Sequence, residues 1–219
     1  NKFGRRQVYE WCDKAYDEVQ DMDIEYSDWL CIPKSVRMTS IKPSGTVSLL
    51  NGSTPGIHFP EDEYYIRRIR FSKDSKMIDT LRDAGYNIED DKYTPNTVCV
   101  EFPVKEPYFL KGKKEISMWE QLEIAAQYQH YWADNSVSVT VTFKPDEADQ
   151  IKDALEMYET RLKAVSFLKY EETGYEQAPY EPITEEKYNE LSAKITPITR
   201  FDAEGGSGTK FCDGESCTI

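Results

Sequence analysis

Apolar residues recur at helical spacing near the start of the chain. Val8, Trp11, Cys12, Ala15 and Val19 share one face over residues 3–20, which predicts a helix with Cys12 on its packed side. Residues 37–41 read as a short strand running into a Pro/Gly turn, and residues 64–71 (YYIRRIRF) have strand composition with imperfect alternation. Residues 74–84 predict a helix with Met77, Ile78 and Leu81 inward and Gly85 as its stop. Farther on, Val98, Val100 and Phe102 alternate with Thr97, Cys99 and Glu101. Ser117 and Glu120 make a capping-box pair for a helix that runs to Trp132. Residues 136–142 alternate strictly, with Val137, Val139 and Val141 on one face and Ser or Thr on the other. A helix from Pro145 then carries Ala148, Ile151, Leu155, Tyr158 and Leu162 on one side, and residues 164–168 read as the next strand.

Strand, helix, strand, helix, strand at these lengths predicts an α/β fold with a parallel sheet, open or closed into a barrel. A parallel strand covered on both faces is normally apolar on both. The hydroxyl face of residues 136–142 therefore favours a barrel lumen or cleft; a partly exposed edge strand is the other reading. Beyond residue 199 the sequence turns to Asp202-Ala203-Glu204-Gly205-Gly206-Ser207-Gly208, so the expected division is a folded body, 1–199, and a flexible tail, 200–219.

Composition narrows the class. A net charge of −13 over 219 residues counts against a general nucleic-acid binder, whose affinity comes from Lys and Arg on phosphates. A nucleotide site needs only a few local donors and stays open. No apolar run approaches the roughly 18–20 residues that cross a bilayer, and no signal-peptide pattern opens the chain, so a cytoplasmic protein without a membrane partner is expected. The five cysteines are odd in number, and Cys12, Cys31 and Cys99 stand far apart in apolar contexts. That pattern predicts buried thiols in a reducing compartment. The chain opens on Asn1 with a helical pattern close behind, and is expected to be the C-terminal piece of something longer.

Candidate chemistry gathers at two places. The turn Pro43-Ser44-Gly45-Thr46, with Val47 after it, sets several backbone N–H groups and two hydroxyls where a short strand ends. A concave set of donors of that kind suits a phosphate; an ordinary turn is the plainer reading. A second Gly/Pro loop, reaching Gly56, Ile57 and His58, follows closely, and two such loops in succession favour a site. Neither His58 nor His130 belongs to a metal-ligand pattern, so no metal site is expected. Arg67, Arg68 and Arg70 with Lys42 either add positive charge near a phosphate or are solvated strand-edge charges.

The second place is the end of the chain. Cys212 and Cys217 stand behind the Gly/Ser stretch with four residues between them. A structural disulfide there would close a short loop on an unpacked tail and stabilise little. A tethered dithiol with a reach of about 20 Å makes physical sense as an electron carrier between an interior disulfide and an external reductant.

The stretches TSIKPSGTVSLLNGSTPGIHF, YYIRRIRF, ADNSVSVTVTF, LKAVSFL, GYEQAPYEPIT and CDGESC, in this order, span nearly the whole chain. Together they resemble the C-terminal part of a ribonucleotide reductase, more narrowly the adenosylcobalamin-dependent (class II) ribonucleoside-triphosphate reductases of the monomeric type. The resemblance implies the C-terminal half of a ten-stranded α/β barrel and adenosylcobalamin as cofactor. It implies a ribonucleoside triphosphate substrate and thioredoxin as partner. It also implies that Pro43, Ser44, Gly45, Thr46 and Val47 hold the substrate phosphates, that Gly56, Ile57 and His58 border the pocket, and that Cys212 and Cys217 reduce the active-site disulfide.

Two departures bear on the assignment. Large subunits fed by a separate radical-generating protein carry two adjacent tyrosines late in the barrel, where this chain has Ser166 and Phe167. Neither can relay a tyrosyl radical, which favours class II. The radical cysteine of the family lies in an Asn-x-Cys-x-Glu pattern that this sequence lacks, so the segment is expected to be inactive unless joined to the N-terminal part. A class I-type large subunit and a non-enzymatic phosphate-binding or redox-relay module are the competing readings.

Overall fold

The computed structural model describes residues 4–43, 48, 53–170 and 176–199. The chain falls into two compact units, Asn1–Glu63 with Lys105–Gly174, and Tyr64–Val104 with Tyr175–Ile219. Residues 200–219, the expected tail, lie outside the described residues.

In the first unit, helix α1 spans Arg5–Leu30 and ends at Cys31, whose left-handed φ of 53° lets Ile32 N–H return to Ser27 O at 3.0 Å. It is longer than its sequence signal, and it is turned differently. Tyr9, Tyr16, Gln20 and Ser27 lie on one side, where Tyr9 stacks on Tyr131 and Ser27 is buried. Trp11 and Trp29, eighteen residues or five turns apart, lie on the other side, and both are exposed. Val8, Cys12 and Val19 are half-buried as expected, while Trp11 and Ala15 face out. Burial pushes the Cys12 thiol pKa up.

The helix Met118–Tyr131 starts as its sequence predicts: Ser117 Oγ accepts Glu120 N–H at 3.1 Å. Glu147, buried, adds a carboxylate at that N-terminus, its Oε1 accepting Met118 N–H at 2.9 Å. Two glutamines on this helix grip the following chain. Gln121 exchanges bonds with the backbone of Thr142 (2.7 and 2.9 Å), and Gln129 reaches Ala133 O, Asn135 O and Val137 N.

Strand Thr140–Phe143 pairs in parallel with Ser166–Lys169, Val141 opposite Phe167. Between them lie a 3₁₀ turn, Pro145–Gln150, and a helix, Ile151–Tyr158. Ile151, Tyr158 and Leu162 pack inward as expected; the tighter 3₁₀ winding brings Glu147 and Ala154 in as well, while the expected Ala148 and Leu155 face out. Val137, Val139 and Val141 join Met118, Leu122, Ala125, Ala126 and Ala154 in the core, each large side chain stabilising by roughly 1.5–3 kcal/mol. Residues 37–41 form no ladder strand. They are nevertheless tied to the same stretch, with Asn135 N–H on Thr39 O (3.2 Å) and Ser138 N–H on Ile41 O (3.1 Å).

The second unit is a four-stranded sheet in the order Asn87–Asp90, Thr97–Lys105, Tyr64–Ser72, Tyr180–Pro182. Its two outer pairings are antiparallel. The expectation of one parallel series is therefore corrected: Thr97–Lys105 and Thr140–Phe143 belong to different sheets, and only the 140–143/166–169 crossover is parallel. Val98, Cys99 and Val100 are all buried, so this inner strand is covered on both faces and its alternation carries no exposed side there. Helix Met77–Asp83 buries Ile78 and Leu81 but leaves Met77 exposed, and Gly85 (φ +91°) follows it. A last helix, Glu185–Ser192, is capped by Thr184.

Candidate functional site

Gly56 joins the two loops singled out in the sequence. Its φ of +53° is left-handed, and a Cβ placed on it would stand 3.0 Å from Lys42 O and 3.5 Å from Pro43 Cα. The Gly/Pro loop thus lies directly against the start of the Pro43 turn. Next to Gly56, Ile57 packs on the hydrophobic core, which anchors the loop from below. His58 turns back, its Nδ1 meeting Pro55 O.

Gly56, Ile57 and His58 line a cavity of about 800 Å³. Its other walls come from the first turns of α1 (Arg5, Val8, Tyr9), the 108–111 segment, and the Met118–Tyr131 helix through Glu120, Ile124 and Tyr128. Lys111 Nζ pairs with Glu120 at 3.1 Å, and Arg5 stands 4.0 Å from the same carboxylate, so the rim carries cations held by one acid. Tyr108 and Leu110 are exposed beside it. Pro43 abuts Gly56 without lining the cavity. Ser44, Gly45, Thr46 and Val47 lie outside the described residues, as do Cys212 and Cys217.

A residue that sequence reasoning missed fixes the approach to the Pro43 turn. Asp134 Oδ2 accepts Met38 N–H (2.9 Å), Thr39 N–H (3.3 Å) and the Thr39 hydroxyl (3.2 Å), while Oδ1 accepts Tyr16 O–H at 2.7 Å. Lys163 Nζ donates to the Asp134 carbonyl. The Met38 N–H and the Tyr16 hydroxyl hold its carboxyl below the usual carboxylate range. The signal was available: Asp134 comes just past the C-terminal end of a helix, where the dipole opposes an anion unless donors compensate.

The arginines of YYIRRIRF have partners within their own unit rather than standing as solvated edge charges. Arg68, its side chain only 10 % exposed, is shared by Glu101 (2.7 Å) and Glu181 within its sheet. Arg70 pairs with Asp91 at 3.1 Å, and Arg67 lies over the Tyr180 ring at 4.2 Å. The cysteine expectation is corrected in part: Cys99 is buried, but Cys31 is exposed at its helix end. Among the described residues no group of three or more metal-capable side chains forms, and no helix is long and apolar enough to cross a membrane.

The chain superposes on a crystal structure of a B12-dependent (class II) ribonucleotide reductase with a TM-score of 0.81. It is 39 % identical to that protein and covers 88 % of this chain and 28 % of that one. That makes the fold a ribonucleotide-reductase fold of mixed α/β type. In sequence the chain is 46 % identical over 225 residues to a probable adenosylcobalamin-dependent ribonucleoside-triphosphate reductase of Dictyostelium discoideum, covering 99 % of the chain. It is 40 % identical to the enzyme of that name from Euglena gracilis, over 98 % of its length. Over nearly its whole length the chain matches the C-terminal part of these reductases. It spans 30 % and 31 % of the length of those two relatives. No family model matches it.

Proposed function

We propose that the segment forms part of an adenosylcobalamin-dependent ribonucleoside-triphosphate reductase, contributing the substrate phosphate loop and the terminal reducing dithiol. The observation that carries this reading is the seating of Gly56 against Lys42 and Pro43 beside an 800 Å³ cavity, in a chain that matches these reductases. Backbone amides of residues 44–47 then hold the triphosphate, and Gly56, Ile57 and His58 wall the adjoining pocket. Anchoring the phosphates fixes the ribose against the reacting groups, which is catalysis by positioning.

Cys212 and Cys217 give up two electrons and two protons in forming their disulfide, re-reducing the active-site pair, and thioredoxin restores them. The barrel of ten strands is completed by the N-terminal part of a full-length member, which also brings the radical cysteine. When bound, adenosylcobalamin supplies the radical. A class I-type subunit is disfavoured by Ser166 and Phe167, which carry no phenol.

The test is a chimera in which this segment replaces the corresponding part of the Dictyostelium relative. Cobalamin-dependent conversion of CTP to dCTP at a rate within about tenfold of the parent is expected, a loss of at most ~1.4 kcal/mol in the barrier. A folded chimera that binds CTP and makes no product would overturn the reading.

A further inference from the structure

We propose that Asp134 is a positioning residue for the substrate phosphates, acting through the segment from which the Pro43 turn is suspended; this rests on the phosphate-loop reading above. Its carboxylate is the meeting point of three elements. Tyr16 from α1 bonds one oxygen, while the backbone and hydroxyl donors of Met38 and Thr39 bond the other. Thr39 is buried and answers in the opposite direction, its Oγ accepting Asp134 N–H at 3.0 Å. Asn135 N–H adds a bond to Thr39 O, and Ser138 N–H one to Ile41 O. Pro43 lies four positions past Thr39, about 13 Å of extended chain. The run leading to Pro43 is thus held by Asp134 at Met38 and Thr39, and Gly56 lies against Lys42 and Pro43.

The donor count explains why an acid is needed. Four donors converge on two oxygens, and a carboxylate accepts on both without offering a proton in return. An Asn here presents its NH₂ either to the Tyr16 hydroxyl, which can turn to accept, or to the backbone donors, which cannot. An Ala leaves the Met38 and Thr39 donors without their carboxylate. The Ala variant, and the Asn variant where its NH₂ faces the backbone donors, free the segment leading into the turn, and a displacement near 1 Å at a binding loop costs on the order of a hundredfold.

The experiment compares Asp134→Asn, Asp134→Ala, Thr39→Val and Thr39→Ser in the full-length enzyme carrying this segment. It measures KM and kcat for CTP, with thermal unfolding alongside. Asp134→Ala and Thr39→Val are expected to raise KM by about tenfold or more with kcat within about threefold, the larger effect in Ala; Thr39→Ser retains the hydroxyl and restores most of the affinity. If Asp134→Ala does not fold, Asp134→Asn and Thr39→Val carry the test. A lower melting temperature with KM unchanged in the folded variants overturns the proposal. Gly45→Trp separates the two ideas. If it raises KM while the Asp134 and Thr39 variants do not, only the positioning role fails; if it leaves KM unchanged, the phosphate-loop reading fails too.

Discussion

Thr39 and Asp134 bond each other in both directions: the Thr39 hydroxyl donates to Asp134 Oδ2 at 3.2 Å, and Asp134 N–H donates to Thr39 Oγ at 3.0 Å. Ninety-five residues apart in sequence, they tie the approach to the Pro43 turn to the stretch that follows the Met118–Tyr131 helix. The carboxylate's folded pKa lies below its unfolded value near 4. Its stabilisation is therefore present above about pH 4 and is lost as pH falls through the lower folded pKa. Thermal unfolding from pH 6 to pH 2.5 should show Asp134→Asn less stable than the parent at pH 6, with the gap narrowing at the acid end.

Gly56→Ala should strain the loop that carries His58. The new methyl meets a backbone oxygen at 3.0 Å, at a φ of +53° that disfavours any L side chain by roughly 1–2 kcal/mol. Expected are a several-fold rise in KM for CTP and a modest drop in melting temperature, read by steady-state kinetics and calorimetry.

Gly85→Ala acts in the other unit. Its Cβ would fall 2.2 Å from Lys194 O, at a φ of +91°, beside the bond from Thr196 N–H to Ala84 O. Backbone must move, so a loss of at least about 2 kcal/mol is expected from denaturant unfolding. KM for CTP in the surviving folded fraction should stay as in the parent.

Replacing both Cys212 and Cys217 by Ser should preserve one turnover and abolish repeated turnover with thioredoxin. Rapid-quench product counting reads this directly: one equivalent of dCTP per enzyme, then none. Equal loss of the first turnover would defeat the relay assignment.

Much of the first unit was legible because short-range rules governed it. Ser117 caps its helix, Val137, Val139 and Val141 fill the core, and the crossover from Val141 to Phe167 is parallel, all as spacing implies. What failed was phase. Along α1 the sequence favours the Trp11–Val19 side, yet Tyr16, which donates to Asp134 and accepts from Gln20, turns the helix so that Trp11 and Ala15 face out. At Pro145 a 3₁₀ turn displaces the helix register, which no α-period shows. The four-residue strand Asn87–Asp90 escaped notice because its only inward apolar residue is Ile88. Gly56 was readable as a loop glycine, but its contact with Lys42 depends on tertiary structure. Asp134 was marked only by its place past a helix end, because its donors come from residues 16, 38 and 39.

The most direct measurement is amide hydrogen exchange in the full-length enzyme, with and without saturating CTP, on peptides covering residues 43–47 and 53–58. A triphosphate held by those amides should slow exchange in the first peptide strongly and in the second measurably, with the Gly85 region unchanged. Bound CTP with unaltered exchange in both peptides would contradict the account.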